Sequence, residues 1–101
     1  MKYEYFNGRT ILISLTILGE IHIVTGKVAC RDDFFFIEFD ETNIKQLSTC
    51  LFTTDRGGDI EGFLDVILYS LHHGDAERAD CMELTGTDGV ELIGRYSYKL
   101  D

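Results

Sequence analysis

The 101-residue chain has no proline and no tryptophan, only three cysteines, and nine basic residues against eighteen acidic ones. Without proline, no position bars a backbone N–H from pairing, which suits a chain made mostly of paired strands and helices. Cys30, Cys50 and Cys81 are odd in number and far apart. That count argues against a disulfide framework, and the spacing against a zinc site built on C-x-x-C. They read as reduced thiols acting as small apolar residues. No apolar run approaches the ~20 residues that a bilayer-spanning helix needs. The start, MKYEYFNGRT, lacks the apolar core and cleavage site of a secretory signal. These absences predict a cytoplasmic protein with no membrane partner. The shortage of cations argues against direct nucleic-acid binding, which needs a basic footprint on phosphate.

What is present is apolar and acidic. Hydrophobic residues make up 45% of the chain, with seven Phe and five Tyr, enough for one globular domain over residues 1–101. The net charge of −9 is unevenly spread. Residues 1–31 carry a net +2 and residues 92–101 a net +1, whereas residues 32–91 hold fifteen acids against Lys45, Arg56 and Arg78. Such a segment either solubilises the domain or attracts a partner protein with a basic surface.

The stretch Asp59 to His73 organises the rest. Ile60, Phe63, Leu64, Ile67 and Leu71 recur at helical spacing, Asp59 can cap the first turn, and Gly74 offers a left-handed stop. A second helix is expected over Asp40 to Phe52, capped by Asp40 or Thr42, with Ile44, Leu47 and Leu51 inward. Between them TTDRGG reads as a loop.

Most other apolar segments alternate like strands. Lys2 to Phe6, Arg9 to Leu18, Ile21 to Arg31 and Phe34 to Phe39 are separated by Asn7-Gly8, Gly19-Glu20 and Asp32-Asp33. Each link suits a two-residue hairpin turn, which predicts a four-stranded meander with a bulge at Gly26. The turns place Ile17 against His22, Leu15 against Val24, Cys30 against Phe35 and Val28 against Ile37. GDAERAD reads as a charged connection, Cys81 to Thr85 as a short strand, GTDG as a turn and Val90 to Leu100 as the final strand. The expected fold class is α+β: an antiparallel sheet of about six strands, an N-terminal meander plus a C-terminal hairpin, with two helices packed on one face.

Alternation gives the meander two sides. One carries Ile11, Ile13, Leu15, Ile17, Val24, Val28, Phe35 and Ile37, a core face. The other carries Ser14, Thr16, Thr25 and a Lys27–Glu38 pair, but also Leu12, Leu18, Ile21, Ile23, Phe34 and Phe36. Burying a large apolar side chain is worth about 1.5–3 kcal/mol, so this second side calls for a cover. The cover is either the chain itself, wrapping into a sandwich, or a second protein.

No constellation names a reaction. His72 and His73 are adjacent on a helix, so they point about 100° apart and do not converge on one ion. Cys and His lack the local context of a nucleophile and base, leaving His22, His73 and Cys81 as weak candidates. Asp55 and Asp59 flank Gly57-Gly58 and would repel a phosphate at that helix start. No catalytic residue, cofactor site or metal site is assigned. The expectation is a small acidic, non-enzymatic protein-binding module. Its partner-binding residues would be Phe34, Phe36, Ile21 and Ile23 as apolar anchors, with Asp32, Asp33, Asp55 and Asp59 as an acidic rim. Antitoxins, immunity proteins and phage anti-defence proteins share this size and charge. A homodimer through the same apolar side is the alternative.

Overall fold

In a computed structural model of the chain, residues 5–52, 54 and 60–101 are described. They form five strands and two helices: β1 (Thr10–Ile17), β2 (Glu20–Arg31), β3 (Phe34–Glu38), α1 (Glu41–Leu51), α2 (Ile60–His72), β4 (Glu77–Thr85) and β5 (Glu91–Leu100). All strand pairings are antiparallel, in the order β3-β2-β1-β5-β4. The α+β architecture is as expected, but with five strands rather than six, and a three-stranded meander rather than four.

The missing strand has a local cause. Of the expected first strand, residues 2–4 lie outside the described residues, and Tyr5 and Phe6 enter a turn instead. Arg9 N–H closes that turn on the Phe6 carbonyl at 3.2 Å, and only Gly8 has positive φ. A type I′ hairpin needs both central residues there, so Asn7-Gly8 does not make one. Phe6 is buried instead, and the Asn7 side-chain oxygen accepts the Cys30 N–H at 2.9 Å.

The other turns set the registers. Asp32 and Asp33 both adopt positive φ and pair Arg31 with Phe34, Cys30 with Phe35, and Val28 with Ile37, as expected. The β1–β2 turn falls on Leu18 and Gly19, not Gly19 and Glu20. Leu15 therefore faces His22, and Ile13 faces Val24. This slip of two residues keeps every side chain on its expected side, because strand alternation has period two. The pairing runs unbroken through Gly26, opposite Ile11, so there is no bulge. A Cβ at Gly26 would come within 2.7 Å of Ile37 and 2.9 Å of Phe39, so glycine serves close packing there.

The path from β3 to β4 runs from one edge of the sheet to the other, and both helices lie along it on one face. Asp40 caps α1, accepting the Asn43 N–H at 2.8 Å, which holds its carboxyl below the usual range. Asn43 in turn accepts the Thr25 N–H at 3.1 Å, tying the helix start to β2 where β3 has ended. The cap assigned to Asp59 lies outside the described residues. At its other end α2 stops as expected: Gly74 N–H bonds to the Leu71 carbonyl and Asp75 N–H to the Ser70 carbonyl, with Gly74 at φ 88°.

Leu47, Cys50 and Leu51 of α1 and Phe63, Ile67 and Leu71 of α2 close over Ile11, Ile13, Leu15, Val24, Val28, Tyr96 and Tyr98. Burial pushes the Cys50 thiol up to about 11, leaving it uncharged as a core group. Ser70 is buried too, its hydroxyl donating to the Val66 carbonyl at 3.3 Å.

The charged GDAERAD segment is largely strand. Glu77 pairs with Lys99 and Arg78 with Tyr98, so β4 runs well beyond the expected Cys81 to Thr85. It is an outer strand with most residues exposed, which hides any apolar alternation. Gly86 N–H donates to Val90, so by alternation the Cys81 N–H points away from β5. The Asp80 carboxylate accepts it at 2.8 Å, blunting an edge that would otherwise invite pairing.

Candidate functional site

The side of the sheet opposite the helices is open. Among the described residues nothing packs over Leu12 (44% exposed), Ile21 (68%), Ile23 (51%), Phe34 (64%) or Phe36 (48%). Neither the second helix nor the C-terminal strands wrap round to cover this face, so the described residues do not form a sandwich.

Register places these residues in detail. Along β2 the open side reads Arg31, Ala29, Lys27, Thr25, Ile23 and Ile21. Phe34 sits opposite Arg31, Phe36 opposite Ala29, Glu38 opposite Lys27, and Leu12 opposite Thr25. The four expected apolar anchors therefore share a face but form two clusters. Phe34, Phe36 and Ala29 lie at one end; Ile21 and Ile23, diagonal to Leu12, lie at the other. Lys27, Glu38 and Thr25 separate them, and Ala29 to Ile23 spans about 20 Å of extended strand.

Charge on this face is mixed. Asp32 and Asp33 occupy the turn beside Phe34 and are exposed, so they border one cluster as expected. Asp55 and Asp59 lie outside the described residues. Lys27, Arg31, Arg95 and Lys99, nearly half of the cations, also face this side, with Lys99 opposite Glu77 and Arg95 opposite Cys81. Sequence reasoning had the parity of Arg95 and Lys99 but did not bring them onto the same surface as Phe34. That step needed β5 to pair with β1, which no local signal announces.

Other acids lie away from this face: Glu41, Glu61 and Asp65 are exposed on the helices, and Asp75 and Asp80 beside or on β4, whereas Glu77 and Glu83 share the open side with Cys81. Arg78 is held between Asp80 (3.1 Å) and Asp75 (3.8 Å), and the first of these keeps its guanidinium charged even more firmly than usual. A groove of about 700 Å³ runs between α2 and β4, its walls including Phe63, Val66, Tyr69, Met82 and Tyr96.

His22, His73 and Cys81 stand on separate elements. His22 lies on the helix side of β2, 3.5 Å from Glu20; the His73 ring is hydrogen-bonded at 2.9 Å to the Tyr69 carbonyl; Cys81 is exposed on the open side of β4. Among the described residues no three His, Cys, Asp or Glu side chains converge as metal ligands. No described helix is long and apolar enough to cross a membrane.

No protein family, curated protein or solved structure matches this chain. Its function must be argued from the open face itself.

Proposed function

We propose that this chain is a small, non-enzymatic protein-binding module that docks through the open face of its sheet. Antitoxins, immunity proteins and phage anti-defence proteins, which occupy a partner protein's basic surface, are the type it fits. The observation that carries the reading is the exposure of Ile21, Ile23, Phe34 and Phe36 on one sheet face with no described segment over them. Aromatic side chains are enriched at the centre of protein contacts, and exposed apolar surface marks such sites. Asp32 and Asp33 beside Phe34, and the net charge of −9, supply steering toward a basic partner.

Capture from a native lysate at low and high salt tests the reading. A protein retained at low salt, released at high salt and lost with Phe34→Ser supports it. No salt-sensitive partner, or one indifferent to that substitution, overturns it. A self-associating structural or adaptor subunit is the second reading, favoured by the two apolar clusters at opposite ends of the β2–β3 open side.

A further inference from the structure

On the reading that the open face is a protein-contact surface, we propose that its occupant is a second copy of this chain. The two sheets would pack face to face about a two-fold axis crossing β2 at Gly26. The helices, with Glu41, Glu61 and Asp65 exposed on them, then point outward, free to meet a basic partner.

The argument is one of self-complementarity. A two-fold contact requires one patch to fit itself: whatever residue i meets at j, j must meet at i. On β2, Ile23 and Ala29 lie three positions either side of Gly26, and Ile21 and Arg31 five positions either side. Ala29 has Phe36 beside it, and Arg31 has Phe34. Reversing β2 on itself about Gly26 therefore sets the Ile21–Ile23 cluster of one copy within a strand spacing of the Phe34–Phe36 cluster of the other. The same contact is made twice. Two patches at opposite ends of one strand permit this, because reversal about their midpoint lays each over the other.

Charge agrees. The residues nearest the axis are Thr25 and Lys27, and Lys27 has Glu38 opposite it in its own sheet. The centre is thus neutral, although each copy carries −9 overall. Arg31 of one copy arrives at the Ile21 end of the other. Area is adequate as well. Five side chains exposed by 44–68% leave roughly 500 Å² of apolar surface per copy, taking about 200 Å² for each. A standard interface buries about 800 Å² per partner, and Ala29, Thr25 and the stems of Lys27 and Arg31 supply the remainder.

Sedimentation of the purified chain should give a dimer. Ile23→Lys and Phe36→Glu should each weaken it by at least roughly a hundredfold, since each sets a charge against an apolar cluster. Circular dichroism confirms that the variants fold. The double variant Ile23→Lys/Phe36→Glu should dimerise again, now in a salt-sensitive way, because each lysine meets a glutamate of the other copy. Independently of any destabilising change, Thr25→Cys in a Cys81→Ser background should cross-link with a short bifunctional maleimide, and Val66→Cys on α2 should not. A double variant that stays monomeric, or cross-linking at Val66→Cys alone, overturns the two-fold at Gly26. A monomeric wild type overturns the second copy but not docking by the open face, which the salt-dependent capture tests by itself. A wild-type dimer indifferent to both single substitutions overturns the open face as a contact surface altogether.

Discussion

Ile13 and Ile23 are the same side chain in neighbouring strands of one sheet, yet Ile13 is fully buried and Ile23 is half exposed. Ile13 lies under the helices, among Phe63, Ile67 and the strand residues of the core. Ile23 faces the other way. Hydrophobicity is identical, so burial here is decided by the side on which the helical layer falls. The covered face pays for the fold of the monomer. The open face is apolar surface whose stabilising value is still unrealised in a single chain.

Substitutions on the two faces should separate this cleanly. Phe63→Ala should cost about 3–5 kcal/mol in urea denaturation, from lost burial and the cavity it leaves. Ile23→Ala, measured at a dilution where the chain is monomeric, should cost less than about 0.5 kcal/mol, as surface changes usually do. Equal losses would mean that the open face is packed within one chain, and the contrast would fail.

A smaller effect sharpens the contrast within β2 itself. Gly26 faces the covered side with Ile37 and Phe39 close above it. Gly26→Ala should destabilise by about 1–3 kcal/mol through overpacking. Thr25→Ala, one residue along and on the open side, should change the melting temperature little.

Leu18 stands at φ 54° in the β1–β2 turn and is largely exposed, so its side chain gains little from burial while its backbone bears the left-handed cost. Leu18→Gly should therefore stabilise by about 1 kcal/mol, read as a raised melting temperature. A loss instead would show that Leu18 contributes to the open face more than its exposure implies.

The smallest effect concerns the cap that ties the covering layer to the sheet. Asn43 holds the Asp40 carboxyl below its ordinary value. A depressed folded-state value means the ionised form stabilises the fold above the unfolded value of about 3.9. That contribution is lost as pH falls through the folded value. Asp40→Ala should lower the melting temperature slightly at neutral pH, and the difference from wild type should shrink below pH ~4. A difference unchanged by acid would place the cap's contribution in something other than the carboxylate.

Legibility in the sequence followed how local each feature is. The helices over Glu41–Leu51 and Ile60–His72 showed as apolar stripes with a cap before or a glycine after. The Asp32-Asp33 turn and its register showed because two alternating runs met across two residues. The β1–β2 register was misread because Leu18-Gly19 and Gly19-Glu20 are both chemically acceptable turns. The structure takes the first, with Leu18 and Gly19 both at positive φ and Gly26 opposite Ile11. The first half of β4 was missed because it is an edge strand, exposed on most positions and stabilised by pairing with β5 rather than by an apolar face of its own. Within the candidate site, the common side of Ile21, Ile23, Phe34 and Phe36 followed from parity alone. The cations Arg95 and Lys99 beside them did not, because that needed β5 to pair with β1.

By itself, the sequence determined that the strands would have two apolar sides and that two amphipathic helices could cover only one. Alternation and helical period are properties of a few consecutive residues, so they are written wherever those residues stand. Tertiary structure decided that β5 would lie beside β1 and that the helices would close over the side of Ile13. Those outcomes depend on pairings between segments far apart in the chain, where one choice of neighbour excludes the others and no local pattern can record it.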